Sequence, residues 1–322
     1  MNIIKIKQQS DLNLLSKESN AFSNGTVVSL GFFDGVHIAH RALINESKKI
    51  AHDRSLPLVI FTFFGQNSEI KSSKKRLLTD EEKISLLGEC GADCIVIADF
   101  AVFKEMSAED FVAEFLIRTL NAHVAVCGFN FRFGKGASGD FSLLAKLMQE
   151  FGRDAKIIDE YEKDGKTVSS SHIKCLIENK HPEEAATFLG KPYFISGKVS
   201  HGLGLGRQLG IPTVNTEFPH GKLIPPTGVY FTATLINGKA YKSLTNIGSC
   251  PTFEERTAHA ETFILDFDDD VYNCDVRIYF IRYIRDEKKY SNANELIMQI
   301  KLDKNEALKI SGELKWQELG LN

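Results

Sequence analysis

A chain of 322 residues is about twice the size of an ordinary domain, so two domains are expected. Hydrophobic residues at 43% and charged residues at 25% are globular proportions that exclude a disordered or fibrous chain. Lysine plus arginine number 39 against 42 acidic residues, and the net charge of −3 argues against a dedicated nucleic-acid binder while leaving room for a local phosphate cleft.

The N-terminal MNIIKIKQQSDLNLL lacks the apolar core and small-residue cleavage site of a secretory signal. No apolar run approaches the length of a membrane span, so a cytoplasmic protein is expected. Cysteines 90, 94, 127, 175, 250 and 274 are scattered through a chain long enough to build its own cores, and they read as free thiols.

The first half alternates short apolar strands with helical patterns. Thr26–Leu30 (TVVSL) reads as a buried strand, residues 38–51 as a helix and Leu58–Phe63 (LVIFTF) as a second strand. A helix is expected over Thr79–Cys90, because Thr79 and Glu82 form a capping-box pattern. A strand at Cys94–Ile97, a helix at Ala108–Leu120, a strand at Val124–Cys127 and a helix near Phe141–Glu150 follow. Such alternation predicts βαβ units and a parallel sheet, with a ligand crevice at the strand C-terminal ends.

Residues 172–190 are helical in pattern and stop at Leu189-Gly190-Lys191-Pro192. Beyond them, β-branched and aromatic runs recur at Val229–Ile236, Tyr241–Asn246, Thr262–Phe267 and Val276–Tyr283. Asn237-Gly238 between the first two is a strong hairpin signal. This half reads as a small antiparallel barrel closed by a helix at about Asn292–Leu308. The expected domains are 1–187 and 188–322.

Gly31-Phe32-Phe33-Asp34-Gly35-Val36-His37-Ile38-Ala39-His40 leaves the first strand and opens a helix. A glycine-bearing turn into a helix offers free N–H groups and the positive end of the helix dipole, a natural phosphate site. His37 and His40 are three apart and share one helix face, where both can donate to one polyphosphate. The same residues also read as surface histidines beside a turn.

In the second half, Gly197–Gly202 runs into Gly204-Leu205-Gly206-Arg207-Gln208-Leu209-Gly210 and then Ile211-Pro212-Thr213-Val214-Asn215. A glycine-dense loop lets backbone approach a phosphate closely. Thr213 and Asn215 point to one side of an extended segment, and their oxygens suit Mg²⁺. Without further context the segment also reads as a glycine-rich turn before a strand.

Other patterns lead elsewhere. Gly134-Lys135-Gly136-Ala137-Ser138-Gly139 is a literal GxGxxG with Asp159 twenty residues beyond its end, but it comes late, after several βα units. Gly165-Lys166-Thr167 imitates the end of a P-loop, with Glu160 where the first glycine belongs. Cys90, Cys94, His123 and Cys127 invite a zinc reading, but two of them fall in predicted buried strands and read as core thiols. Most of the 23 phenylalanines are expected in the core.

The N-terminal segment resembles the GxFDGxHxGH opening of the bacterial bifunctional riboflavin kinase/FAD synthetase family, within the HxGH nucleotidyltransferases. Gly128-Phe129-Asn130-Phe131-Arg132-Phe133-Gly134 is similar to its flavin and nucleotide loop, and Val168–Lys174 to its ISSTxxR segment. The run from Gly197 to Asn215 resembles the signature GxVxxGxxxGRxLGxPTxN of its kinase half. Thr227–Tyr230, Asn246-Ile247-Gly248, Pro251-Thr252-Phe253 and Arg285-Asp286-Glu287 fall where the family has comparable pieces.

The resemblance implies a Rossmann-like nucleotidyltransferase domain followed by a Greek-key β-barrel kinase. It implies phosphorylation of riboflavin to FMN and adenylylation of FMN to FAD, with ATP and Mg²⁺ used in both steps. By it, His37 and His40 steady the ATP phosphates, and Gly31, Phe33 and Asp34 belong to the nucleotide-binding turn. Asn130 contacts phosphates or flavin, and Ser170, Ser171 and Lys174 hold the triphosphate. In the kinase half it implies ligand contacts at Gly202, Gly206, Arg207, Thr213, Asn215 and Arg285, with Glu261 as general base. Outside that context Glu261 reads as an exposed strand charge.

Departures stand beside these matches. Ala39 replaces a glycine, His172 and Lys174 fill arginine positions, and Phe64-Gly65-Gln66-Asn67 replaces an aspartate-proline-histidine-proline segment. Two other readings therefore accompany the first: a kinase whose N-terminal domain has lost adenylylation, and a flavin-binding regulator without turnover. The partners expected are flavins and ATP, without nucleic acid or membrane, and the chain is read as a monomer or a weak self-associator.

Overall fold

A computed structural model describes residues 1–17, 22–65, 75–200, 213–249, 258–267, 271 and 274–313. It divides into two compact units, Met1–Ser170 and Ser171–Asn322.

The first unit is built on a six-stranded parallel sheet in the order β1-β4-β3-β2-β5-β6. Its strands are β1 (Asn2–Ile6), β2 (Thr26–Leu30), β3 (Leu58–Phe63), β4 (Cys94–Ala98), β5 (Ala122–Gly128) and β6 (Asp154–Ile158). The helices between them are α1 (Gln9–Lys17), α2 (Ile38–Asp53), α3 (Asp80–Glu89), the short α4 (Phe100–Phe103), α5 (Ala108–Asp110) and α6 (Phe141–Glu150). Strands β2 and β4 are buried along their whole length, as expected where helices cover both faces of a parallel sheet. From β2 the chain builds outward through β3 and β4, then returns to lay β5 on the other side of β2. The strand order reverses there, and the crevice at such a reversal is where doubly wound sheets hold ligands.

The capping box at α3 is present: Thr79 accepts from the Glu82 N–H at 3.2 Å, and Glu82 accepts from the Thr79 N–H at 2.9 Å. Thr79→Ala is expected to cost about 1 kcal/mol, read as a shift in the urea midpoint at unchanged m-value.

The helix predicted over Ala108–Leu120 differs in kind. After α5 it widens into a π-helix over Phe111–Thr119, closed by the Leu120 N–H donating to the Phe115 carbonyl at 3.0 Å. The wide turns bring Phe111 and Phe115 into an aromatic cluster with Phe61, Phe103 and Phe133. The region predicted as helical over 172–190 is two helices, α7 (Ser170–Glu178) and α8 (Pro182–Leu189), since Pro182 opens a new first turn. A two-stranded hairpin, β7 (Glu162–Lys163) with β8 (Lys166–Thr167), precedes α7 and contains the P-loop imitation.

The second unit contains a closed barrel of β9 (Tyr193–Ser200), β10 (Thr213–Glu217), β11 (Gly228–Ile236), β12 (Lys239–Ser249), β13 (Ala258–Ile264) and β14 (Asp275–Arg285). Strands β11, β12 and β13 form a meander, and β14 returns beside β11, which is the Greek-key connection. Asn237 (φ 49°) and Gly238 (φ 79°) both take the left-handed conformation that a two-residue hairpin turn requires. Thr234, Ser243, Thr232, Thr245 and Thr262 are fully buried and bonded in that order at 2.7–2.9 Å. The C-terminal helix α9 runs over Ala293–Glu313, longer than the sequence pattern suggests.

Candidate active sites

The turn Gly31–His37 leaves β2 at the strand-order reversal, and the loop Gly128–Gly134 leaves the adjacent β5. Topology thus brings two of the motifs to one crevice. The turn is tightly wound: Phe33 (φ 53°), Gly35 (φ 93°) and Val36 (φ 42°) all lie in the left-handed region. For a β-branched valine this conformation costs on the order of 1–3 kcal/mol, and complete burial of the Phe33 and Val36 side chains holds it in place. Gly31 is needed for space, because a Cβ there would meet the Phe33 ring at 2.8 Å.

Asp34 organises this turn. Its buried carboxylate accepts from the Leu77 N–H at 3.0 Å, and its carbonyl accepts from the Ser170 hydroxyl at 2.7 Å. Ser170 thereby ties the first residue of α7 to the glycine turn. Ser171 and Lys174 lie further along α7.

His37 is the N-cap of α2, and its Nδ1 accepts from the His40 N–H at 3.3 Å. That bond leaves the proton on Nε2, ready to donate. The His40 ring stacks on His37 with centroids 3.5 Å apart, and Phe33 meets His40 edge-on. His40 Nδ1 is buried without a hydrogen-bond partner among the described residues.

Burial pushes His37 down to about 4 against the pull of Asp34. His40 is pushed well below its ordinary value by burial, then by the charges of His37 and Lys83. Both rings are neutral at pH 7 and become cationic only when an anion compensates them. A histidine whose folded pKa is depressed stabilises the native state fully above its unfolded value, and that stability declines as pH falls below it. The protein is therefore expected to lose stability as pH drops from 6.5 towards 4. In urea unfolding at stepped pH, His37→Asn should flatten that decline.

In the β5 loop, Asn130 is exposed and lies beside Gly128, and Phe129 is exposed next to it. Gly134 passes so close to Ala108 that a Cβ would lie 2.8 Å from the Ala108 nitrogen. The GxGxxG ends in a bridge between Phe133 and Gly139, so it is a closed excursion and not a strand-to-helix turn. Cys94 on β4 and Cys127 on β5 are separated by β3 and β2, about 14 Å at ordinary strand spacing. They cannot share a metal. Among the described residues no group of three or more His, Cys, Asp or Glu is placed to hold one.

In the barrel, Asn215 on β10 pairs directly with Glu261 on β13, which pairs directly with Asn246 on β12. Directly paired residues share a face, so three polar side chains form one row across three strands. Thr213, two residues before Asn215, lies on the same face. The Asn246 Oδ1 is buried and has no hydrogen-bond partner among the described residues. In the sequence this asparagine stands out only as one letter of a longer match. Arg285, at the end of β14, is committed to a bidentate pair with Asp303 on α9, with contacts at 2.7–3.1 Å. It anchors the C-terminal helix to the barrel. Gly202, Gly206 and Arg207 lie outside the described residues, as do Gln66, Asn67 and Pro251-Thr252-Phe253.

Residues 19–172 match the FAD synthetase family and residues 189–311 the Riboflavin kinase family. A bifunctional riboflavin kinase/FMN adenylyltransferase of Bacillus subtilis is 34% identical over 94% of this chain and 96% of that protein. The protein of the same description from Escherichia coli K12 is 32% identical over 92% of this chain and 96% of its own length. A solved structure, described as a macrolide-efflux protein from Streptococcus pneumoniae, superposes with a TM-score of 0.82 at 28% identity. It covers 94% of this chain and 98% of that one. Among the described residues no helix is long and apolar enough to cross a membrane.

Proposed function

The chain belongs to the bifunctional riboflavin kinase/FMN adenylyltransferase family, and we infer that it makes FAD from riboflavin in two ATP-dependent steps. The observation that carries this reading is the coincidence of both family matches with two separate polar constellations, one in each unit. We assign residues 1–187 to adenylyl transfer and 188–322 to the kinase.

In the kinase half, Glu261 accepts the proton of the riboflavin 5′-hydroxyl while that oxygen attacks the γ-phosphorus of ATP and ADP leaves. Thr213 and Asn215 supply hard oxygen donors beside Glu261, and the orphaned Oδ1 of Asn246 adds a third oxygen to the same row. This donor set fits Mg²⁺, which when bound offsets the negative charge of the ATP phosphates. Gly202, Gly206 and Arg207 are proposed to line the phosphates.

In the N-terminal half, a phosphate oxygen of FMN attacks the α-phosphorus of ATP and pyrophosphate leaves with the bonding electrons. No covalent nucleophile is needed, so the residues position and neutralise. His37 and His40 donate to the triphosphate, with the backbone of Gly31, Phe33 and Asp34 forming the turn around it. Ser171 and Lys174 add a hydroxyl and a cation, Ser170 braces the turn, and Asn130 contacts flavin or phosphate. Arg285 acts by holding α9 against the barrel. The protein is proposed to work in the cytoplasm on small molecules alone, as a monomer or weak self-associator.

Incubating purified protein with riboflavin, ATP and Mg²⁺, and separating flavins by chromatography, tests the whole reading. FMN followed by FAD is expected. FMN without FAD would reduce the protein to a kinase, the reading favoured by Phe64 and Gly65 at the exit of β3. Flavin binding without ADP release would make it a regulator.

A further inference from the structure

The exit of β3, where the family's aspartate-proline-histidine-proline segment is absent, is faced by two cations from the chain that follows. Lys83 on α3 is 3% exposed, and its ammonium donates to the Phe63 carbonyl at the end of β3. Arg76, four residues before α3, is half-buried and donates to the Phe64 carbonyl at 3.4 Å. Both converge on Phe32, in the turn that carries the histidines. The Lys83 ammonium is 5.0 Å and the Arg76 guanidinium 4.9 Å from the centre of that ring. Lys83 is near enough to His40 for its charge to help keep that ring neutral.

Nearby carboxylates compensate these cations incompletely. Asp80 comes only within 4.0 Å of Lys83, and it already accepts from the Gly65 N–H at 2.6 Å. The Asp34 carboxylate accepts from the Leu77 N–H through one oxygen, and its charge pulls on both Lys83 and Arg76. Burial pushes Lys83 down to about 8, partly offset by Asp80 and Asp34, and Arg76 lowers it further. A buried ammonium is costly unless a partner anion arrives. For a lysine kept only to satisfy one strand-end carbonyl, glutamine would do as well without a buried charge.

We propose that Lys83 and Arg76 bind a phosphate oxyanion of the adenylyl-transfer reaction, replacing the contact that the altered strand exit no longer supplies. The inference rests on the adenylyltransferase reading of the first unit. Its ligand is a phosphate ester, either the flavin's monophosphate or the nucleotide's triphosphate. Two cations beside neutral histidines provide charge that the histidines lack at pH 7.

The test uses the full-length protein and the variants Lys83→Gln, Lys83→Arg and Arg76→Gln, with riboflavin kinase turnover as an internal control. Glutamine keeps a donor for the Phe63 carbonyl and removes the charge; arginine keeps the charge. Lys83→Gln and Arg76→Gln are expected to weaken FAD formation about 10- to 100-fold, with Lys83→Arg recovering part of it and kinase rates unchanged. A rise in KM for FMN alone identifies the flavin phosphate, and a rise for ATP alone the triphosphate. Wild-type FAD kinetics in both glutamine variants would overturn the proposal. So would a Lys83→Gln loss matched by a fall in Tm and uncorrected by arginine, with Arg76→Gln normal. Wild-type protein that makes no FAD would instead refute the adenylyltransferase reading. Calorimetric titration of FMN and ATP into wild type and Lys83→Gln would still decide whether Lys83 binds the anion.

Discussion

Glu261→Gln is expected to slow riboflavin phosphorylation by about 10²–10⁴-fold while FMN continues to be converted to FAD. Glutamine has the shape of glutamate and can keep its place in the row with Asn215 and Asn246. What it loses is the basic oxygen proposed to accept the 5′-hydroxyl proton. The effect should therefore fall on kcat, with KM for riboflavin and ATP little changed, because positioning survives and proton acceptance does not. Measuring FMN produced at saturating substrates, and FAD produced from supplied FMN, separates the two steps. Undiminished kinase turnover in this variant would remove Glu261 from the chemistry.

The complementary result is expected from the double variant His37→Asn, His40→Ala, with FAD formation falling by about 10²–10³-fold and kinase activity intact. Asparagine at position 37 retains a side-chain oxygen to cap α2, so the helix start is preserved. The imidazole donors stacked over the turn are then gone. Each single variant leaves one ring and should lose less than the pair, since both rings are proposed to address one triphosphate. Equal FAD rates in wild type and double variant, measured with ATP and FMN supplied directly, would show that the histidines are structural.

Much of the fold is legible in the sequence. Strands Thr26–Leu30 and Leu58–Phe63 announce themselves as short apolar runs between turn residues. Thr79 and Glu82 mark the start of α3, and Asn237-Gly238 marks the hairpin. These are local signals, carried by residues whose conformational preference decides the outcome. Strand β1 carries three isoleucines but is a five-residue edge strand, largely exposed, whose place is set by pairing with β4, distant in sequence. The π-helix has no local signature in the sequence, and its Phe111 packs on Phe61, fifty residues earlier. Lys83 and Arg76 go unmarked for a related reason. A lysine inside an acidic helix start reads as a solvated charge, and only the folded chain brings it onto Phe32.

The row Asn215–Glu261–Asn246 could be half anticipated. The spacing of Thr213 and Asn215 places them on one face, but the partners opposite them depend on strand register, which no local pattern supplies.

The buried hydroxyls running from Thr234 to Thr262 constrain how the barrel can change over generations. Each hydroxyl has one proton to give, so the sense in which one bond points sets the sense of the next. A lone Thr→Val exchange in the middle strands a neighbour without its partner, whereas Thr→Ser leaves the circuit whole. Methyl-for-hydroxyl replacements should therefore accumulate in adjacent pairs or from the ends inward, giving this barrel a drift pattern set by proton bookkeeping more than by volume.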